Sequence, residues 1–561
     1  MTTSPRTDVM KIALAQLNPT VGDIEGNKAR ITDAYREAAE AGADLMVCPE
    51  LIVSGYPPED LILRPAYAAA CRAAVEALAP LTKDGPALIL NSPWPVTGEE
   101  DPRPYNAVVL CAEGKIAHTR YKEKLPNYGV FDEPRTFRPG DGIESGVYDL
   151  NGLKLGLLVC EDMWFPETAA RLAEAGADIF IAPHGSPFRM RGPARRMAQA
   201  TARVAETGKP LIFVNQVGGQ DELVFDGGAF IVQPGGEVLR APQFTEGVVL
   251  TEWARAGAGW QCTSGPSARW LDGDGLMYEA LVTGTRDYVH KSGFSQVILG
   301  LSGGIDSAMV AAICVDALGP ENVRCVMMPS RYTSRESLED AAACAERLGV
   351  PYETVGIERG VAAFDEMLSD SFAGRAPDVT EENIQSRLRG GILMAMSNKF
   401  GALLMTTGNK SEMAVGYATL YGDMNGAYNP LKDVYKTKVF TLARWRNEHR
   451  PQDGLGPDGL VIPERIITKP PTAELREDQK DEDSLPPYEV LDAILEGLVE
   501  DEASVNEIAE RGHDPALVRR IQHLLYLAEY KRNQAPPGPK VTHRNFGRDR
   551  RYPIINKWRE R

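Results

Sequence analysis

The chain has 561 residues, 43% hydrophobic and 25% charged, and a formal net charge of −17. That length suits two to four domains, and that composition supplies full cores, which excludes a wholly disordered chain. The acidic balance argues against a nucleic-acid coat or an anionic-membrane binder, both of which lean basic; a local basic pocket for a phosphorylated small molecule stays open.

The polar start, Met1 to Val9, lacks the apolar core of a signal peptide. From there short apolar runs alternate with helical stretches. Lys11–Leu17, Asp44–Cys48, Ala87–Leu90, Ala107–Cys111, Lys154–Cys160, Asp178–Ala182 and Leu211–Asn215 read as strands. Asn27–Ala41 and Ala194–Thr207 read as helices between them. This alternation predicts an α/β layered domain over residues 8–255. Residues 256–275 cluster Gly, Ser, Asp and Pro without periodicity and are expected to form a linker. A second α/β unit, 276–561, starts with a helix Leu276–Lys291 and a strand Gln296–Leu301. A glycine-rich turn, a helix from about Ser307 and strands Val323–Met328 and Ala402–Thr406 follow, in the doubly wound manner. Two polar stretches, Ser369–Glu382 and Thr468–Pro487, are expected as mobile loops, the second either a solvated loop or a lid over a phosphorylated ligand. No run of ~18 apolar residues predicts a membrane-spanning helix. Eight cysteines without a Cys-x-x-Cys or close pairs fit a reducing, cytoplasmic setting better than disulfides or zinc.

Three features of the first half combine into a mechanism. Glu50 follows a strand in VCPEL, Lys122 sits in RYKEKLPNYGVFDE, and Cys160 closes the strand LKLGLLVC. Amide hydrolysis through a thioester needs a nucleophilic sulfur, a base and a charge to hold the oxyanion. Cys160, Glu50 and Lys122 supply these in turn. His184 lies in the same half, but its context does not mark it. The order PEL, K-x-x-LP, CED resembles the nitrilase superfamily of carbon–nitrogen hydrolases, and LPNYGVFDE resembles the glutaminase domains fused to glutamine-dependent NAD⁺ synthetases. The resemblance implies a four-layer α-β-β-α sandwich and selects Lys122 over Lys124. It also implies a glutamine pocket from Tyr128, Glu133, Glu161 and Ser186. Where the family often has a lysine after that serine, SPFRMRGPARR has arginines, of which Arg191 is the nearest candidate.

The densest motif is LGLSGGIDSA, residues 299–308. A strand ends in two adjacent glycines and a helix begins, so backbone amides can approach phosphate oxygens at a helix N-terminus. There is no Gly-Lys-Ser/Thr ending, so it is not a Walker A loop. The motif resembles the pyrophosphate loop of ATP pyrophosphatases, which adenylate their substrates. The later run TTGNKSEMAVGYATLYGDMNGAYNPLKDVYK resembles the NAD⁺ synthetases among them. That resemblance implies ATP binding by Gly300, Leu301, Ser302, Gly303, Gly304, Ile305, Asp306, Ser307 and Thr407. It implies deamido-NAD⁺ binding by Asn383, Glu412, Asp423, Lys436 and Lys531, more loosely Arg532, with Asp306 and Glu412 as Mg²⁺ ligands.

The expectation is therefore a carbon–nitrogen ligase. It hydrolyses L-glutamine, passes ammonia through an internal channel, and uses Mg-ATP to activate deamido-NAD⁺, giving NAD⁺, AMP and pyrophosphate. The family also implies a homo-oligomer, a dimer at the synthetase domains and up to an octamer. The alternative is a stand-alone nitrilase-type amidase with a regulatory nucleotide-binding domain.

Overall fold

A computed structural model describes residues 8–95, 101–142, 146–257, 259–477, 479, 481 and 485–560. The chain forms two compact units, one from 1–220 with 224–271 and the other from 221–223 with 272–561.

The first unit is built on two sheets. In spatial order the larger runs Gly259–Ser264, Gly247–Ala256, Val9–Gln16, Leu45–Val47, Ala87–Trp94, Tyr105–Ala112 and Lys115–Tyr121. The smaller runs Val238–Arg240, Phe230–Val232, Leu211–Asn215, Ile179–His184, Leu153–Leu157 and Val147–Leu150. Side chains alternate across a strand, and the inner strands have apolar residues on both faces to cover. Ile12 and Leu14 face inward, meeting Leu155, Leu157, Ile179 and Ile181 of the other sheet in a shared core. Ala13 and Ala15 face outward and pack under the helices Ile24–Glu40 and Pro65–Leu78. The outer face of the smaller sheet is covered by Pro166–Glu174 and Gly192–Thr207. Helix, sheet, sheet, helix is the α-β-β-α sandwich.

The stretch 256–275 differs from the linker expected of it. Gly259–Ser264 is a strand, paired antiparallel with Gly247–Ala256 across a turn in which Gly257 has φ +59°. Its Gly-Trp-Gln-Cys-Thr-Ser wording alternates too weakly to read as a strand, yet pairing with a neighbour supplies what propensity does not. The change of unit falls between Leu271 and Asp272.

The second unit has a four-stranded, all-parallel sheet ordered Tyr352–Thr354, Val323–Met327, Val297–Gly300, Leu403–Leu404. The helix Ile305–Leu318 is buried nearly all round, as its continuous apolar wording requires. A separate helical core gathers Tyr488–Val499, Val505–Glu510 and Pro515–Leu527 around Met413, Ala414 and Val415. Ser369–Glu382 is not a loop throughout: Val379–Phe400 is a helix whose start is fixed by a reciprocal Asp378–Glu381 capping box. Of Thr468–Pro487, residues 478, 480 and 482–484 lie outside the described residues.

Candidate active sites

In the first unit, two strand ends and a short helix, Glu133–Thr136, deliver three charged groups to one point. Lys122 lies just past the strand Lys115–Tyr121 and Glu50 just past Leu45–Val47, and both are fully buried. The Lys122 ammonium donates to Glu50 Oε1 at 2.8 Å and to both oxygens of Glu133 at 2.9 and 2.8 Å. Its three N–H donors are thereby all engaged. Glu50 is held from the other side as well, by Asn106 Nδ2 at 2.8 Å and the Gly185 N–H at 2.8 Å. A side chain at Gly185 would crowd the centre, since a Cβ there would sit 3.0 Å from the Tyr56 ring and 3.3 Å from Glu50 Oε2. The Tyr56 hydroxyl donates to Glu133 Oε1 at 3.0 Å.

Cys160 opens the turn Cys160–Trp164 after the strand Leu153–Leu157. Its φ of +44° is a left-handed conformation costly for a non-glycine residue, and such strain gathers at functional positions. Burial, then the Glu50 charge, push its thiol well above the ordinary value, with Lys122 opposing. Both effects favour the protonated thiol, so a base would be needed for Cys160 to act as a nucleophile. Burial, the largest effect, would raise Glu50, but the charge and hydrogen bond of Lys122 and the Gly185 N–H together hold the carboxyl below its usual value. Burial pushes Glu133 up to about 7, against the pull of Lys122. Burial would lower Lys122, but Glu133 and Glu50 together hold it well above the usual lysine range. His184 is neutral: burial drives it down to about 3, its Nδ1 lies 2.9 Å from the Ala182 carbonyl, and its ring packs tilted at 35° against Phe213.

Tyr128, half exposed, donates to both carboxylate oxygens of Glu161 at 3.1 and 3.0 Å. Ser186 is fixed through its backbone, donating to Asn215 Oδ1 at 2.9 Å, while its carbonyl accepts from Arg196. Arg191 stands at the N-terminal boundary of the helix Gly192–Thr207. The arginine whose charge acts on both Glu161 and Tyr128 is Arg195, one turn into that helix. Sequence reasoning passed over Arg195, as it did Asn106 and Tyr56. The arginine-rich wording was the only signal for the first, and there was none for the other two.

In the second unit, Gly300–Ser307 curls over the end of the central strand. Ser307 Oγ donates to the Gly304 carbonyl at 3.0 Å and accepts from the Ser302 N–H at 3.2 Å. Gly303 has φ +79°, and a Cβ there would lie 2.3 Å from the Ser337 carbonyl, so only glycine fits. The helix begins at Ile305, slightly before the expected start. A cavity of about 280 Å³ opens beside this loop, lined also by Thr407, Glu412, Asp423, Lys436 and residues 469–475.

Inside it, buried Lys436 contacts Asp306, and its Nζ lies 3.5 Å from Glu412 Oε1. Burial pushes Glu412 up to about 8, with Lys436 opposing and Asp306 adding. The two carboxylates are placed from behind. Asn409 caps the helix Lys410–Val415 that carries Glu412 and donates to Asp306 Oδ1 at 3.0 Å. Buried Asp492 accepts from Ser411 Oγ and, at 2.8 Å, from the N–H of Thr437, next to Lys436. Asn383, Asp423 and Lys531 form a connected polar rim. Thr419 donates its hydroxyl to Asn383 and its N–H to Asp423, while Lys531 donates to the Gly416 and Ala418 carbonyls. Arg532 instead is turned inward, onto the Met413 and Ala414 carbonyls and Glu529. The segment before residue 476 closes over the cavity through Glu474, which accepts from the hydroxyls of Ser334 and Ser337 at 2.7 and 2.8 Å.

Among the described residues no cluster of three or more His, Cys, Asp or Glu is arranged to hold a metal unaided. Asp306 and Glu412 nonetheless converge on the single point where the Lys436 ammonium sits. That donor set fits a divalent cation that takes its other ligands from phosphates and water. No helix is long and apolar enough to cross a membrane among the described residues.

The carbon–nitrogen hydrolase family matches residues 11–259, and the NAD synthase family matches residues 277–535. The glutamine-dependent NAD(+) synthetase of Rhodobacter capsulatus is 52% identical over 557 residues, covering 99% of this chain and 100% of that protein. The one from Thermotoga maritima is 41% identical over 585 residues, covering 98% and 99%. The solved glutamine-dependent NAD⁺ synthetase from Acinetobacter baumannii, in complex with ADP, is similar over 98% of this chain and 99% of its own, at 41% identity and a TM-score of 0.77. One from Cytophaga hutchinsonii shares the fold at a TM-score of 0.82 and 22% identity. With both halves matched in order and relatives aligned along nearly its whole length, this chain belongs to the glutamine-dependent NAD(+) synthetase family.

Proposed function

We propose that the two sites divide the reaction of a glutamine-dependent NAD⁺ synthetase between them. In the first, glutamine lies with its amide over Cys160. Glu50 takes the thiol proton as sulfur attacks the amide carbon, because the thiol is not ionised beforehand. The oxyanion that forms is stabilised by the Lys122 charge. With all its donors engaged, Lys122 acts through its field rather than through a spare hydrogen bond. Glu50 returns the proton to the departing ammonia, leaving a γ-glutamyl thioester. Water, deprotonated by Glu50, then releases glutamate. Glu133 balances the lysine and keeps it from neutralising Glu50. Tyr128, Glu161, Ser186 and Arg195 form the glutamine pocket, the carboxylate of Glu161 suited to the α-ammonium and Arg195 to the α-carboxylate.

In the second site the Gly300–Ser307 loop takes the ATP phosphates on its amides, with Thr407 beside them. The polar rim of Asn383, Asp423 and Lys531 receives deamido-NAD⁺. Its nicotinate carboxylate attacks the α-phosphorus, pyrophosphate leaves, and ammonia displaces AMP from the acyl-adenylate. Lys436 neutralises charge at the phosphates. Magnesium, held by Asp306 and Glu412, supplies charge neutralisation at the phosphates when bound. As phosphates draw Lys436 away, the two carboxylates are freed for the cation.

What carries this reading is the presence, in one chain, of a strained cysteine over a buried Glu–Lys–Glu centre and a glycine loop over a Lys–dicarboxylate centre. The test is NAD⁺ formation from deamido-NAD⁺ and Mg-ATP with glutamine or with ammonium. Product from both, with AMP in step, is expected. Product from ammonium alone overturns the first half of the reading, and product from neither overturns the second.

We also place the protein in the cytoplasm as a homo-oligomer, at least a dimer through the synthetase unit. Its eight cysteines are all free. Helices Glu358–Leu368 and Val379–Phe400 expose Phe364, Met367, Met394 and Phe400. A fully active monomer in light scattering overturns the oligomer.

A further inference from the structure

Cys160 and Lys122 come from different sheets. The nucleophile follows Leu153–Leu157 in the smaller sheet, and the lysine follows Lys115–Tyr121 at the edge of the larger. Thioester chemistry needs their separation fixed, because a misplacement of about 1 Å can cost roughly 10²-fold in rate.

Asp162 is two residues beyond the nucleophile and fully buried. Its carboxylate accepts three backbone N–H groups. Oδ2 takes that of Val159, the residue before Cys160, at 3.2 Å. Oδ1 takes those of Glu123 and Lys124, the two residues after Lys122, at 3.1 and 2.9 Å. The first bond is local to the turn. The other two reach 39 and 38 residues back along the chain, to the other sheet's loop. On this assignment of the catalytic residues, we propose that Asp162 is a positioning residue that ties the Cys160 turn to the Lys122 loop and so sets the distance between nucleophile and ammonium.

A carboxylate suits this place better than an amide. Ionised, it accepts on both oxygens. Asparagine has one accepting oxygen, and its NH₂ must face either the Val159 N–H or the pair from Glu123 and Lys124. Burial pushes Asp162 up to about 6, while the Lys124 N–H and the Arg120 charge oppose it, so it is ionised at neutral pH.

The test uses the full chain and two variants. D162N is assayed for glutamate release with Mg-ATP and deamido-NAD⁺ present, and for NAD⁺ synthesis from ammonium. The expected result is a fall of about 10²-fold in glutaminase kcat with the KM for glutamine within about threefold, and ammonium-driven synthesis within about twofold of wild type. K124P deletes one cross-sheet donor, together with the exposed Lys124–Glu167 ion pair, which contributes little at the surface, and leaves Asp162 in place. A fall in glutaminase kcat of about tenfold is expected, again with ammonium-driven synthesis kept. Wild-type glutaminase kcat in either folded variant overturns the proposal. So does a loss matched by an equal loss of ammonium-driven synthesis, which reports general damage. Glutamine hydrolysis surviving in C160A would instead remove the underlying site assignment.

Discussion

Each unit places a buried lysine between two carboxylates, yet the two centres are built for different work. Lys122 lies between Glu50 and Glu133 with every donor engaged, and Lys436 lies between Asp306 and Glu412. In both, burial pushes the second glutamate up, Glu133 to about 7 and Glu412 to about 8. The first centre is buried, and on the proposed function a neutral amide would bring no charge into it. The second lines an open cavity, and on the proposed function its ligands would carry phosphates and a cation able to exchange with the ion pair already there. A closed centre preserves a field, whereas an open one stores a cation position until the substrate arrives.

The sharpest way to break this comparison is to delete one reactive group from each centre. C160A should lower glutamine-driven NAD⁺ synthesis by at least about 10⁴-fold while leaving ammonium-driven synthesis near wild type. K436M should do the converse, lowering synthesis with either donor by about 10³-fold, since a charge at the phosphates is lost. Glutamine binding, followed by protection of Cys160 from alkylation, should persist in K436M. If K436M instead spares synthesis, the second lysine is only structural.

Lys410 separates the two meanings of a buried lysine. It is fully buried and bonded to Glu500, Asp433, Thr542 Oγ1 and the Arg544 carbonyl, but it does not line the cavity. Removing one member of a buried charge cluster leaves the others unpaired, which costs about 3–5 kcal/mol. K410M should therefore unfold at lower urea, while kcat of the molecules still folded stays within a few-fold of wild type. A selective loss of kcat at unchanged stability would show that burial, not the cavity, decides which lysines are catalytic.

Much of this was legible in the sequence because chemistry there sits at strand ends. Glu50 and Cys160 each follow an apolar strand, and Gly300–Ser307 joins a strand to a helix, so local wording marked those places; Lys122 follows the polar edge strand Lys115–Tyr121 and was marked by its K-x-x-LP wording instead. Most inner strands were legible for the same reason, being continuous and apolar, but Gly247–Ala256, which is polar in its second half, and the three-residue Phe230–Val232 were not read as strands. Gly259–Ser264, Val147–Leu150 and Val238–Arg240 are edge strands, half exposed and weakly patterned, and pairing rather than wording makes them strands. Asn106, Tyr56, Arg195 and Asp162 act through contacts 30 to 80 residues distant, which no local pattern encodes. Lys531 was readable as a basic residue near phosphate, but its donation to two backbone carbonyls was not.

The smallest expected effect tests how tightly the first centre is closed. His184 is fully buried beside Glu50 and packed tilted against Phe213, with Arg196 and Lys122 adding positive charge that disfavours a second proton. Burial drives it down to about 3, so the folded protein leaves it neutral, while the unfolded chain protonates it near 6.5. A group whose folded value lies below its unfolded value takes up a proton on unfolding. Stability is then lost as pH falls below about 6.5, at up to about 1.4 kcal/mol per pH unit, and the loss stops near the folded value. H184F keeps an aromatic ring on Phe213 and cannot titrate. Between pH 7 and 5 it should lose about 2 kcal/mol less stability than the parent, read from urea midpoints at matched m-values. The many carboxylates that also weaken the fold in acid are common to both chains and cancel in the difference. Equal acid slopes would mean that His184 takes up its proton in the folded state, and a floor that admits a proton would not hold the Lys122 field closed.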